Sequence, residues 1–204
     1  MSWEIVRPDA TSLRGLAHPL RVKMLTALRE HGPATATLLA QRLGQSSGVT
    51  SYHLRQLAQH GFVVEDPDRG AGRERWWKAA HRGTSLGYEV SREAPGDVET
   101  YLRAVAALYI DRIDHWLSEW PALQGDWDGD WEGTGTLSDQ RLRLTPAESR
   151  ELKEEILALV ERYRKDDPDS PAPPGTEPVI LQWQVMPFIR AAGPEGGERA
   201  EDRS

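Results

Sequence analysis

A predicted helix over residues 47–60 carries its hydrogen-bonding side chains on one face. At about 100° per residue, Leu54 and Leu57 fall on the apolar side of the helical wheel. The opposite side carries Tyr52, Arg55 and Gln56. An arginine or glutamine side chain can form two parallel hydrogen bonds to the edge of a nucleic-acid base. The alternative interpretation, an ordinary amphipathic helix with a polar outer face, is weaker because of the elements around it.

Three serines lie close to the start of this helix, where the backbone N–H groups have no partner within the helix. They are Ser46, Ser47 and Ser51. Exposed N–H groups and the helix dipole favour a bound anion at this end. Hydroxyl groups there suit contacts to phosphate, which position a protein on nucleic acid without specifying its sequence. His53 lies on the flank of the wheel, which favours a core-edge or phosphate role over catalysis.

The elements around this helix have the order of a winged helix-turn-helix. A shorter helix over residues 37–43 precedes it and ends at Gly44, and a hairpin with β-rich runs at 62–64 and 75–77 follows it. The second helix of such a motif fits the major groove of double-stranded DNA. We predict that the hairpin arginines contact the minor groove or flanking phosphates, and the alternative is that they serve solubility. They are Arg69, Arg73 and Arg75.

Charge is distributed unevenly along the 204-residue chain, whose formal net charge is −7. Residues 10–82 contain 11 basic and 5 acidic residues, a net charge of +6. Residues 83–204 contain 13 basic and 25 acidic residues, a net charge of −12. A basic segment that coincides with the helix-turn-helix is the expected footprint of a phosphate-binding surface. The acidic remainder would repel DNA, so we expect it to lie away from the duplex or to contact a partner.

The composition argues against several other classes of function. The absence of cysteine removes disulfides, thiolate metal sites and cysteine nucleophiles. No run approaches the ~20 apolar residues of a membrane span, and the first residues lack the apolar run of a signal peptide. No pairing of a nucleophile with a base and no glycine-rich phosphate loop stands out. We therefore expect a soluble cytoplasmic protein that is not an enzyme and carries no cofactor.

The remaining pattern predicts a mostly α-helical fold with a small β component, in the α+β class. The predicted parts are a winged helix-turn-helix over 10–82, a loop over 83–96, a helix over 97–120, an α+β region over 135–190 and a disordered tail over 191–204. In the α+β region, Thr145 and Glu148 have the spacing of a capping box, which starts a helix. The runs 135–144 and 178–187 alternate apolar and polar residues and are predicted as strands.

Three segments resemble the ArsR-type winged-helix transcriptional regulators. They are residues 16–25, 39–43 and 46–61, and the family's Ser-x-His-Leu-x-x-Leu pattern matches Ser51, His53, Leu54 and Leu57. The resemblance extends over residues 13–78, about a third of the chain. It implies a homodimer that binds a pseudo-palindromic operator, usually as a repressor. The family often dimerises through terminal helices, so our candidate is the helix over 97–120, through Tyr101, Val105, Leu108, Tyr109 and Trp116.

The chain departs from the metal-sensing members of that family. Those members use a Cys-x-Cys motif, and this chain has no cysteine. A second family site uses aspartate and histidine on the dimerisation helix, but Asp111, Asp114 and His115 have a different spacing here. Asp111 and His115 lie one helical turn apart, and solvated charges are the favoured interpretation over a metal site. We therefore predict no metal site.

The leading hypothesis is a dimeric, sequence-specific regulator of transcription that binds double-stranded DNA. The C-terminal region either stabilises the dimer or receives a signal from a small-molecule effector whose chemistry the residues do not specify. The alternative is a winged helix that binds another protein and has no specific DNA site, which the overall acidity favours. Arg55, Gln56 and the hairpin arginines distinguish the two, because a protein-binding module does not need them in this arrangement.

Overall fold

The computed structural model describes residues 5–69, 74–119, 131, 133–164, 166 and 170–187, and the backbone alone over 120–126. The chain divides into two compact units. The first comprises Met1–Thr136 and Asp166–Thr176, and the second comprises Leu137–Lys165 and Glu177–Ser204. Arg73 and the predicted disordered tail over 191–204 lie outside the described residues.

Four helices make up the first part of the first unit, and each begins at a capping side chain. They are α1 (Ala10–Leu13), α2 (Pro19–His31), α3 (Ala36–Leu43) and α4 (Ser47–Gln59). Their caps are Asp9, His18, Thr35 and Ser46, whose side chains each accept a hydrogen bond from a backbone N–H of the first turn. A helix start leaves N–H groups unpaired, so such residues decide where the helix begins. The helices predicted over 37–43 and 47–60 are confirmed to within one residue at each end.

Five short strands form two small sheets. They are β1 (Ile5–Val6), β2 (Ala34–Thr35), β3 (Val63–Glu65), β4 (Trp76–Ala79) and β5 (Gly83–Thr84). β3 and β4 form the predicted hairpin and are antiparallel, with Val63 opposite Ala79 and Glu65 opposite Trp77. β2 pairs with the other edge of β4, which gives the strand order β2-β4-β3. β1 pairs in parallel with β5.

The apolar faces of these elements enclose a core in the first unit. Leu54 and Leu57 of α4 are fully buried there, as the helical wheel predicts. Their buried neighbours are Leu13, Leu16, Met24, Leu25, Leu28, Leu39, Phe62 and Trp77. Full burial of a leucine-sized side chain contributes about 1.5–3 kcal/mol. The core therefore fixes the inner face of α4, and the outer face of the helix remains accessible.

Two further helices, α5 (Tyr88–Glu93) and α6 (Pro95–Asp126), complete the elements of the first unit that the structure describes. The predicted loop over 83–96 is wrong, because β5, α5 and the start of α6 lie there. These pieces are too short to show a strand or helix period in the sequence. The helix predicted over 97–120 is present and is longer at both ends. α6 packs along α2, with ion pairs between Lys23 and Asp111 (2.9 Å) and between Glu30 and Arg112.

The second unit contains α7 (Pro146–Glu161). Thr145 and Glu148 form the predicted capping box, in which each side chain accepts a hydrogen bond from the other residue's backbone N–H. The strands predicted over 135–144 and 178–187 are wrong, because neither run pairs with another strand in the part of the chain that the structure describes. Alternation of apolar and polar residues gives a strand two different faces but does not supply a hydrogen-bonding partner.

The long helix α6 raises the question of a membrane span, because 32 residues would be long enough for one. Charged side chains such as Arg103, Asp111 and Arg112 interrupt it. Among the described helices, none combines the length and the apolar character that a membrane crossing requires.

Candidate nucleic-acid interface

A buried hydroxyl group ties α4 to α3. Thr50 Oγ1 donates to the carbonyl oxygen of Ala36 at 2.8 Å, and the Thr50 side chain is fully buried. Gly44 ends α3 with a φ of 61°, a left-handed conformation that glycine adopts without steric cost. The next backbone N–H, of Gln45, donates to Ala40 O at 2.9 Å. These contacts hold the two helices in the helix-turn-helix arrangement.

The start of α4 presents small polar side chains to solvent. Ser46 Oγ accepts a hydrogen bond from Val49 N at 3.3 Å, so Ser46 caps the helix. Ser46 and Ser47 are exposed, whereas Ser51 is half-buried one turn further along. At Gly48, an added Cβ would meet no atom within 4 Å, so the surface is open there. Two of the three predicted phosphate-binding serines are thus fully accessible at this helix end.

Tyr52 and Arg55 occupy the outer face of α4, as the helical wheel predicts. Both side chains are exposed. Arg55 makes no hydrogen bond or ion pair with any residue that the structure describes. Gln56 is half-buried and donates to Gln59 Oε1 at 3.4 Å, a long hydrogen bond. Arg55 is therefore available to a ligand, while Gln56 would exchange a weak contact for a new one.

Acidic side chains of the hairpin form ion pairs with its arginines. Arg75 pairs with Glu65 at 3.0 Å. Arg69 lies 3.7 Å from Asp66 and over the ring of Trp76. The Arg75–Glu65 pair is exposed on both sides, and such a pair contributes only about 0–1 kcal/mol, so a phosphate group can replace Glu65 as the partner of Arg75. Asp66, the partner of Arg69, is largely buried. The net charge of +6 already includes Glu65 and Asp66, but their pairing with these arginines follows only from the folded hairpin.

A pair of histidines, half-buried His18 and buried His53, joins the start of α2 to α4. The ring centroids of His18 and His53 lie 4.5 Å apart, and Tyr52 contacts His53 edge-on. His18 Nδ1 accepts a hydrogen bond from Leu20 N, which requires that this nitrogen be unprotonated. Burial is the main cause that lowers the pKa of both imidazoles, His18 lowers that of His53 further, and Arg21 lowers both. The burial of His53 agrees with the core-edge role, one of the two predicted for it.

Over the helix-turn-helix, the amino-acid sequence is similar to known regulators. Residues 16–66 match the family model described as a helix-turn-helix domain. Over 57 residues, the chain is 42% identical to the HTH-type transcriptional regulator NmtR of Mycobacterium tuberculosis (strain ATCC 25618 / H37Rv). Over residues 16–66, the chain thus has the sequence of a helix-turn-helix domain and is similar to a known transcriptional regulator. The alignment covers 28% of this chain and 47% of NmtR, so the chain matches about half the length of that relative.

Two solved structures are also similar to this chain. One is the homodimeric winged helix-turn-helix DNA-binding domain (fragment 1–100) of Mb0332 from Mycobacterium bovis, described as a possible ArsR-family transcriptional regulator. Its sequence identity to this chain is 22% and the TM-score is 0.31, with 48% of this chain and 76% of that chain covered. The other is RV1404 from Mycobacterium tuberculosis, at 18% identity and a TM-score of 0.30, with 74% and 82% covered. The assignment of a helix-turn-helix domain rests on the family model over 16–66 and not on these structures.

In α6, the side chains predicted for dimer contacts do not share one exposed face. Tyr101 packs against the core, and Leu108 lines a groove together with Ala27 of α2 and Leu43 of α3. Val105 is half-buried and falls on the same face of α6 by its spacing from Tyr101 and Leu108. These side chains are therefore engaged within the chain itself. The other two predicted contacts are half-buried; they are Tyr109 and Trp116.

Other apolar side chains of α6 are more exposed than the predicted ones. Leu102 is 51% exposed, Ile110 is 59% exposed and Leu117 is 49% exposed. They lie eight and seven residues apart, a spacing that places them along one stripe of a helix. We call these three residues the α6 stripe. The α6 stripe was not predicted, because apolar residues occur on both sides of α6. The helical period of these residues does not by itself identify the side that packs on α2.

The acidic and histidine side chains of α6 give no indication of a metal site. Asp111 pairs with Lys23 at 2.9 Å, and His115 is exposed. Throughout the described ranges, His, Asp and Glu side chains do not form any group of three or more that could hold a metal ion. The structure thus supplies a different partner for Asp111 from the one that a metal site would require.

Proposed function

We propose that this protein is a transcriptional regulator that binds double-stranded DNA in a sequence-specific manner through α4. The observation that carries the proposal is the pair of exposed side chains, Tyr52 and Arg55, on the outer face of a helix whose inner face is locked into the core. A recognition helix needs base-contacting side chains on a rigid support. Arg55 has no other described partner, and arginine bonds guanine through two hydrogen bonds in the major groove.

The charge of the domain supports this proposal. Residues 10–82 have a net charge of +6 within a chain of net charge −7. Contacts to phosphate supply most of the sequence-independent affinity of a DNA-binding protein. Ser46 and Ser47, at the exposed start of α4, are placed to add hydrogen bonds to phosphate oxygens. NmtR, which the chain matches over 57 residues, is named a transcriptional regulator, and this similarity supports the same class of function here.

We further propose that the protein acts as a homodimer on a pseudo-palindromic operator and represses transcription. The α6 stripe supports the dimer, because exposed apolar side chains along one helix face are suited to pack against a second copy. Tyr109 and Trp116 are half-buried and flank this surface as candidates for its rim. Because a two-fold dimer presents two recognition helices, it binds two half-sites about one helical turn of DNA apart. Repression is the usual action of the family that the domain resembles.

The experiment that tests the proposal is selection of binding sites from a random duplex library. Purified protein is used at about 150 mM salt, since phosphate contacts depend strongly on salt concentration. We expect enrichment of an inverted repeat with half-sites about 10 base pairs apart. If no sequence is enriched while the protein is folded by circular dichroism, the domain does not read DNA by itself. The protein-binding alternative would then be favoured.

A further inference from the structure

The proposed recognition helix α4 carries an exposed apolar side chain in its first turn. Val49 lies in the first turn of α4 and is 39% exposed. Valine is a poorer helix former than alanine, because its branched side chain loses rotamer freedom in a helix. An exposed valine recovers little of this cost through burial. The isopropyl group of Val49 is thus placed on the outer face of α4, where a ligand can reach it.

The surroundings of Val49 leave it open to a ligand. Its backbone N–H donates to Ser46 Oγ, which fixes the first turn of the helix. Its neighbour is Gly48, where an added Cβ would meet no atom within 4 Å. Tyr52 and Arg55 follow on the outer side of α4, three and six residues along. Val49 thus stands at the exposed start of the face proposed to enter the major groove, with no side chain at position 48 to cover it.

We propose that Val49 determines specificity by packing against the C5 methyl group of a thymine in each operator half-site. The thymine methyl is the apolar group on the base edges of the major groove, and apolar side chains contact it there. The polar side chains of the outer face, Tyr52 and Arg55, can form hydrogen bonds to a base edge. The isopropyl group of Val49 can make only van der Waals contacts. This inference rests on the proposed function, because it requires that α4 face the groove.

The test deletes the methyl group without changing any hydrogen bond. In the operator obtained by selection, each thymine of a half-site is replaced singly by uracil, and the dissociation constant is measured for the wild-type protein. One position is expected to lose affinity by about four-fold, the value that corresponds to burial of one methyl-sized group. At the same position, 5-methylcytosine is expected to bind more tightly than cytosine.

Two variants assign the effect to Val49. In Val49→Ala, the uracil and thymine operators are expected to bind equally, and the melting temperature is not expected to fall, because alanine suits an exposed helix position. Val64→Ala is the matched control. Val64 is also an exposed valine (43%), but it lies on strand β3 of the hairpin, for which we predict contacts to the minor groove or to phosphates. Its uracil penalty is expected to equal that of the wild type.

Each outcome has a distinct meaning. Loss of the penalty in Val49→Ala alone supports the proposal. A penalty that persists in Val49→Ala, or the absence of any penalty at every thymine, overturns it while the proposed function stands. Failure to select any operator overturns both together.

Discussion

At the scale of single residues, the buried Thr50 hydroxyl helps to set the position of α4. It joins α4 to the first residue of α3 across the turn, at 2.8 Å from Ala36 O. A comparable constraint acts at the other end of α4. At Gly15, an added Cβ would lie 2.4 Å from His60 Cβ, so only glycine permits the linker before α2 to approach α4 this closely. Under the proposed function, both residues affect DNA binding through the placement of α4.

Replacement of Thr50 by valine tests this role. The substitution preserves the shape of the side chain but removes the donor, so we expect the free energy of unfolding to fall by about 1–2 kcal/mol. DNA affinity should fall as well, since α4 loses its tie to α3. Urea denaturation and operator binding measure the two effects. Thr100→Val is the matched control, because Thr100 also donates to a carbonyl oxygen, that of Gly96, but is exposed on α6. Equal losses in the two variants would contradict the assigned role.

At the scale of elements, the contact between α2 and α4 depends on two neutral imidazoles. His18 caps α2 through an unprotonated Nδ1, and its ring lies against that of His53. The charged group that faces both rings is Arg21 of α2. Protonation of either ring would place a second positive charge beside this guanidinium, and protonation of His18 at Nδ1 would also remove the cap.

We therefore expect the stability of the domain to fall in mildly acidic solution. The pKa of each imidazole is lower in the folded protein than its ordinary value of about 6.5, so the unfolded chain binds more protons in this range. The free energy of unfolding should stay constant above about pH 6.5 and decrease below it, as the pH falls towards the lowered pKa values. Urea denaturation at a series of pH values measures this dependence.

His18→Asn is the informative variant, because asparagine can cap the helix and does not titrate. Its stability should decrease less with falling pH than that of the wild type. His31→Asn provides a control for the other histidines, since His31 is exposed at the end of α2. A pH dependence unchanged in His18→Asn would contradict the assignment to this pair.

The sequence predicts the elements of the first unit where several local signals coincide. At α3 and α4, caps at Thr35 and Ser46, a terminal glycine at Gly44 and an apolar period all agree, and the predicted bounds are accurate to one residue. β1, β2 and β5 have only two residues each and depend on partners far away along the chain. Such strands leave no period to detect, and their pairing follows from the packing of the whole unit.

In the candidate site too, some features follow from the local sequence and others depend on contacts between distant segments. The exposure of Tyr52 and Arg55 follows from the helical period, because α4 has one apolar side. The ion pair between Arg75 and Glu65 was not predicted, since it depends on the register of the hairpin. The runs 135–144 and 178–187 have no partner strand in the part of the chain that the structure describes. The local sequence does not reveal whether such a partner exists. The sequence pattern identifies which side chains share a face of a helix or strand. The element that packs against that face is set by the tertiary structure.

At the scale of the whole molecule, the division of charge between residues 10–82 and the rest of the chain is expected to orient the proposed approach to DNA. The basic domain attracts the duplex, and the acidic remainder of net charge −12 repels it. A dimer would double both effects. The assembly is thus expected to bind with a strong salt dependence and with few unproductive orientations.

The oligomeric state tests the α6 stripe. Leu102→Asp combined with Ile110→Asp should convert a dimer into monomers, because it places two carboxylates in the proposed apolar contact. Both side chains are exposed, so the fold of the protomer should survive. Light scattering measures the mass, and Leu137→Asp with Leu142→Asp is the control, since these leucines are exposed but lie in the second unit. A dimer mass retained in the α6 variant would place the interface elsewhere.

The central claim, that α4 reads DNA bases through Arg55, is tested most directly by Arg55→Ala on the selected operator. We expect a loss of about 1–3 kcal/mol in binding free energy and a relaxed preference at one base pair per half-site. Arg150→Ala, at an exposed helical arginine of α7, serves as the control and should bind as the wild type does. Unchanged affinity and unchanged base preference in Arg55→Ala would contradict the claim.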